Sequence, residues 1–231
     1  MRKTCFDIDG IPTILWGENS KKIYLFVHGK NGCKEIAEDF AKIAAKKGWQ
    51  VLSVDLPGHG ERVQESGQFF PWQIVPELKM VMTFIKRRWQ TVGLRADSLG
   101  VWFCLLAFSD DHIDKSLFVS PILDMEKLIY DMMRYASVSE ERLKKEKEIK
   151  TDFAETLSWE YLEFAKKNKI ENWNVKTSIL YAENDSFTNR NTVDSFVKKY
   201  GCNLTVLKEG DHWLHTPQQI SMLSRWTEFV A

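Results

Sequence analysis

Short apolar runs alternate along this chain with stretches whose apolar residues recur every three to four positions. The run 22–29 (KIYLFVHG) is apolar through its middle and ends in His28-Gly29, as a strand buried on both faces does. The next stretch, 33–48 (CKEIAEDFAKIAAKKG), places Ile36, Phe40, Ile43 and Ala44 at helical spacing and ends on Gly48, a C-cap residue. WQVLSVDLPGHG returns to a strand and stops at Pro57-Gly58, and 71–89 reads as a helix with a proline in its first turns. TVGLRADS predicts a strand and LGVWFCLLAFS a buried helix, followed by a strand over 113–124. KTSILYAEND, NTVDSFVKKYG, CNLTVLKEGDH and TPQQISMLSRWTEFVA continue the alternation, and KTCFDID and PTILWG form a hairpin around Gly10 before it begins. Strands alternating with helices predict a mostly parallel sheet covered on both faces.

The stretch from about 125 to 172 departs from that rhythm. MEKLIYDMMRYA is amphipathic, EERLKKEKEIK is dense in charge, and SWEYLEFAKKN is aromatic and helical, with no strand evident. It reads as a helical insertion within a single domain spanning 1–231. Its KKEKEIK run reads as a solvated helix face. Its methionines and aromatics either pack it onto the body or line an apolar pocket, where flexible thioethers adapt to varied shapes.

Bulk properties narrow the function. Lysine plus arginine and aspartate plus glutamate both number 32, so the formal net charge is zero. That balance points away from nucleic acid as the main partner. The longest apolar run, 101–108 (VWFCLLAF), is far too short to cross a bilayer. The start, MRKTCFDIDGIP, carries no apolar stretch of a signal peptide, and the four cysteines form neither a CxxC pair nor a metal spacing. Reduced thiols and a cytoplasmic location are the expectation. DLPGHGER has G-x-G but no third glycine, so it reads as a turn and not a dinucleotide cradle.

Ligands of a parallel sheet bind at the carboxyl ends of its strands. There the sequence sets His28-Gly29-Lys30, then Ser98, then Asp185, then His212. Taken together, VHGKNG, DLPGHGER, ADSLG, YAEND and EGDHWLHTPQQ resemble the α/β-hydrolase family over nearly the whole chain, with the order Ser, Asp, His. Small carboxylesterases, monoacylglycerol-lipase-like and aminopeptidase-like members are the most similar in pattern.

The resemblance implies an α/β-hydrolase fold in which the insertion is a lid. It implies Ser98 as nucleophile, His212 as base, and Asp185 as the acid that orients the imidazole. The oxyanion donors it implies are the backbone N–H groups of Lys30 and Leu99, with the Lys30 side chain in solvent. No cofactor or metal is implied. The expected substrate is a small-molecule acyl compound, here a carboxylic ester of small or medium acyl length. Aminopeptidase, thioesterase or amidase action through the same triad stays open, as does a non-catalytic binding protein on the same fold. An aminopeptidase needs a carboxylate for the substrate amine, and the insertion offers Glu140, Glu141, Glu155, Glu160 and Glu163.

Several residues compete for these roles. Ala96 stands where the elbow motif has glycine; its single methyl fits a tight turn, whereas a β-branched residue would not. Asp97 adjoins Ser98 but points away across the elbow. Asp194 falls in a helix, and Asp124 ends the strand before the insertion, where some members of the family carry their acid. His215 pairs with His212 as H-x-x-H without a third metal ligand. His28 and His59 read as loop-bonding residues, and His112 as exposed.

Overall fold

The computed structural model describes residues 1–153 and 155–231. β1 (Lys3–Ile8) and β2 (Ile11–Trp16) form the opening hairpin. Asp9 and Gly10 make its turn at φ 49° and 83°; positive φ at both positions matches the strand twist. Then follow β3 (Lys22–Val27), α1 (Glu38–Lys46), β4 (Gln50–Val54), α2 (Pro71–Lys86), β5 (Thr91–Asp97), α3 (Leu99–Ala107) and β6 (Lys115–Val119). The insertion carries α4 (Met125–Tyr135), α5 (Glu140–Glu146), β7 (Glu148–Lys150), β8 (Thr156–Ser158) and α6 (Trp159–Lys167). β9 (Thr177–Ala182), α7 (Arg190–Tyr200), β10 (Asn203–Leu207) and α8 (Pro217–Val230) complete the chain.

Eight strands form one sheet in the order β1-β2-β4-β3-β5-β6-β9-β10. The pairs from β4 to β10 are parallel, while β1–β2 and β2–β4 are antiparallel. The expected mostly parallel sheet is therefore present. Leu52, Leu25 and Leu94 lie side by side across β4, β3 and β5 and are wholly buried. Burying one such side chain contributes about 1.5–3 kcal/mol. One apolar cluster joins the sheet to α2, α3, α7 and the insertion, and a second joins the other face to α1 and α8. β4 and β5 flank β3 on opposite sides, so the crossovers diverge there and leave a crevice at its carboxyl end.

The structure departs from the expected elements at particular places. The helix expected from 33 begins as a 3-10 turn, Lys34–Ala37, because the backbone and side chain of Lys34 both bind buried Asp55. Ile36 is thereby turned outward and is exposed. The strand expected over 113–124 ends at Val119, since Ser120 adopts φ 44° and a proline follows. The insertion is not purely helical. Its charged run leaves α5 at Lys147, φ 70°, and continues as β7, paired antiparallel with β8. Ile149 and Leu157 face each other there, both buried between exposed or partly exposed neighbours, and this period of two is what the charges mask. Of the insertion's methionines, Met133 is core, whereas Met125 and Met132 also line a cavity.

Candidate active site

β5 ends at Asp97, and the next residue, Ser98, turns the chain into α3 at φ 50°, ψ −122°. A non-glycine residue in that region is strained by roughly 1–3 kcal/mol. Neighbours on every side hold it: Ser98 N donates to Val119 O (2.9 Å), and Ile122 N donates to Ser98 O (3.1 Å). Ala96 is fully buried between Val27 and Phe118 on the adjacent strands, so its methyl is a packing group there. Two glycines make room for the turn. A Cβ on Gly100 would come within 2.4 Å of the His28 carbonyl, and one on Gly29 within 2.8 Å of Ser98 Cβ. These glycines serve close packing of the protein on itself. Gly32 likewise makes room for the His28 ring.

His212 follows β10 through a short turn, and Asp185 follows β9. Ser98 Oγ lies 2.8 Å from His212 Nε2, and His212 Nδ1 lies 2.8 Å from Asp185 Oδ2. The two partner side chains are buried, Asp185 completely. Asp185 Oδ1 accepts from the N–H groups of Phe187 (2.8 Å) and Thr188 (3.0 Å), which fixes the carboxylate plane. A carboxylate only accepts, so Nδ1 carries the imidazole proton and Nε2 offers its lone pair to the Ser98 hydroxyl. The Phe187 and Trp213 rings pack edge-on against the imidazole at 4.6 and 5.2 Å and restrict its rotation.

The competing residues are elsewhere. Asp124 is exposed and caps α4 by accepting from Lys127 N. Asp194 is exposed on α7 and pairs with Arg190. His215 is exposed and turned to Asp211, so the H-x-x-H pair is split. His112 is exposed. Asp97 pairs with Arg95, not with His212.

The loop after β3 is held by histidines. His59 Nε2 accepts from Asn31 N, and its Nδ1 donates to Pro57 O. His28 is fully buried; its Nε2 accepts from Leu56 N. Burial holds the His28 imidazole down at about 4, against 6.5 when exposed. The unfolded chain takes up that proton below about pH 6.5 and the folded one only near pH 4. Stability is therefore lost as pH falls through that window, by about 2 kcal/mol for His28 alone between pH 7 and pH 5. Denaturant midpoints at the two pH values measure it. An equal drop in His28→Gln would exclude the imidazole as its source.

The Lys30 side chain is not in free solvent: its ammonium grips the Glu155 carboxylate at the start of β8. This contact joins the loop after β3 to the insertion. Beside it lies a cavity of about 480 Å³ lined in part by Lys30 and Leu99. Phe69, Phe70, Ile129, Met132 and Tyr161 form much of its wall. A second cavity of about 480 Å³, between α4, α6 and α7, touches none of Ser98, His212, Asp185, Lys30 and Leu99. Sequence reasoning did not reach the Lys30–Glu155 contact or the cavity wall, since a pairing across 125 positions has no local signature.

Neither a scan against protein-family models nor a search of curated proteins finds a match. Solved structures do match over almost the whole chain. Est1E from Butyrivibrio proteoclasticus, with ferulic acid bound, superposes with a TM-score of 0.76 at 16% identity, covering 98% of this chain and 96% of that one. The mouse alpha/beta hydrolase domain-containing protein 10 gives 0.72 at 14% identity, covering 100% and 98%. The Pyrococcus furiosus esterase Pf2001 gives 0.66 at 15%, covering 99% and 92%. With the strand order and the crevice at the end of β3, these likenesses establish that the chain has the α/β-hydrolase fold.

Proposed function

We propose that the protein is a serine hydrolase that cleaves a carboxylic ester of small or medium acyl length through an acyl-enzyme. The observation that carries this reading is the continuous hydrogen-bonded line from Ser98 through His212 to Asp185. His212 Nε2 takes the hydroxyl proton as Ser98 Oγ attacks the ester carbon. Asp185 stabilises the imidazolium that forms. The carbonyl oxygen becomes an oxyanion, received by the N–H groups of Leu99 and Lys30. Leu99 is the first residue of α3, so its N–H has no partner within the helix. The imidazolium then returns its proton to the departing alkoxide. Water, deprotonated by the same imidazole, releases the acid and restores Ser98.

The cavity beside Lys30 and Leu99 is the acyl site, and the insertion over it is the lid. Its wall of aromatics and Met132 suits an apolar or aryl acyl group. The ferulic acid bound by the Butyrivibrio neighbour adds aryl esters to the substrates worth trying. Among the glutamates that could hold a substrate amine, Glu140 is engaged by Lys166 and Glu155 by Lys30. Neither of these two carboxylates is free for a substrate amine. A panel of p-nitrophenyl esters from acetate to decanoate, with feruloyl esters, amino-acyl anilides and acyl thioesters, tests the reading. Turnover confined to anilides or thioesters would replace it. Met132→Trp fills the cavity wall and is expected to cut kcat/KM for the octanoate at least about 10-fold, leaving the acetate within about 2-fold. An unchanged chain-length profile would place the acyl group elsewhere.

A further inference from the structure

The front cavity, which has Lys30 and Leu99 in its wall, and the rear one, between α4, α6 and α7, are of equal size, about 480 Å³ each. Among the described residues, Met125 alone lines both. It is the first residue of α4 and is 7% exposed. A residue in the wall of both cavities leaves them one residue apart at that place. Elsewhere the division is thicker. Trp102 lines the rear cavity and Tyr161 the front one, and their rings stack with centroids 5.9 Å apart. Two aromatic rings in series close that path, while a single unbranched side chain closes the other.

The backbone ties Met125 to the elbow. Ile122 N donates to Ser98 O (3.1 Å), and Thr188 Oγ1 donates to Pro121 O (2.9 Å). Asp124 Oδ1 then accepts from Lys127 N (2.9 Å), which starts α4 at Met125. The partition thus stands three positions along the chain from a residue bonded to Ser98. Beyond it, the rear cavity offers buried Trp102, Leu123 and Phe196 and exposed Lys169, Asn191 and Lys199. An alkyl chain that passed Met125 would meet an apolar surface first and water after it.

We propose that Met125 is the residue that determines acyl length: it ends the front cavity and bars the acyl chain from the rear one. The proposal rests on the reading of Ser98 as nucleophile and of the front cavity as the acyl site. A chain that stops short of Met125 gains from each added methylene that the cavity wall covers. A longer chain must displace the thioether or fold back on itself, and that overpacking cancels the gain. The restriction to small or medium acyl groups then lies in one side chain. With that side chain shortened, the rear cavity continues the acyl site.

The experiment compares the native protein with Met125→Ala, Met125→Leu and Met125→Ala/Ser195→Trp. It reads kcat/KM for p-nitrophenyl esters from acetate to hexadecanoate in a fixed concentration of nonionic detergent. Rates are taken per active site titrated with a fluorophosphonate, and melting temperatures are measured alongside. In the native protein kcat/KM is expected to fall beyond a medium chain length. Met125→Ala moves that fall by at least about four carbons and raises the hexadecanoate-to-octanoate ratio at least about 10-fold. Met125→Leu, of similar volume, keeps the ratio within about 2-fold of native. Ser195 is exposed on α7 and lines the rear cavity, so tryptophan there occupies it. The double variant is therefore expected to return within about 3-fold of the native ratio. Met125→Val, a smaller truncation, reads the same direction where the alanine variant folds poorly. A native profile with no fall by hexadecanoate would overturn the proposal. So would a native-like ratio in a folded Met125→Ala, or a gain that survives Ser195→Trp. A native protein that neither labels nor turns over any ester would instead remove the hydrolase reading, and an octanoate rate untouched by Met132→Trp would remove the front cavity as acyl site.

Discussion

Ser98→Ala is expected to abolish turnover of p-nitrophenyl esters and labelling by a fluorophosphonate, with a fall in kcat of at least about 10⁴-fold and a melting temperature close to native. The size follows from what the hydroxyl does. In the proposed mechanism it is the atom that forms the new bond, and removing a triad nucleophile removes a mechanism rather than one contact. What survives is the weak catalysis of the oxyanion donors and of binding. The fold is expected to tolerate the change, because Ser98 is held by its backbone bonds to Val119 and Ile122, which alanine keeps. Alanine also carries the same strain at φ 50° as serine. Kinetics on p-nitrophenyl acetate, with mass spectrometry of the labelled native chain, check the result. Full activity in Ser98→Ala, or a label on another residue, would end the assignment.

Asp185→Asn is expected to lower kcat by about 10⁴-fold with little change in KM or stability. The two side chains are nearly the same shape, and the amide oxygen can still accept from Phe187 and Thr188. The amide nitrogen, however, donates where the carboxylate accepted. It turns His212 to the tautomer with its proton on Nε2, and that atom then has no lone pair for the Ser98 hydroxyl. Asp124→Asn is the matched comparison. Its carboxylate caps α4 in the open, far from the imidazole's partners, and its loss is expected to leave kcat within about 3-fold. If Asp124→Asn produced the large loss and Asp185→Asn did not, the acid would have been taken from the wrong strand.

Much of this arrangement is legible in the sequence, for a definite reason. Ser98, Asp185 and His212 each follow a strand, and strand ends are marked locally by an apolar run followed by Gly, Pro, Asp or Asn. Parallel topology then brings those ends to one edge without any further information. Ala96 illustrates the limit of motif reading. The elbow needs a small residue there, and a buried methyl between Val27 and Phe118 satisfies it as glycine does elsewhere.

Choosing among like residues needed the fold. Asp124 and Asp185 both follow strands, and only distance separates the carboxylate 2.8 Å from His212 from the one at a helix cap. The β7–β8 pair is invisible in a charged run because two buried residues, Ile149 and Leu157, carry its whole pattern. The Lys30–Glu155 contact and the cavity wall join the loop after β3 to a segment more than a hundred residues away. Asp97 reads from sequence only as a residue pointing away from Ser98; its partner Arg95 two positions earlier becomes visible once both are seen on the α1 and α8 face. The sequence by itself determined the strand–helix order, the parallel sheet and a serine, a histidine and two competing acids near its edge, because periodicity and turn residues act locally. The tertiary structure alone decided which acid meets the histidine, what walls the cavity, and where a buried charge pair lies, because those depend on side chains that meet only after the sheet has closed.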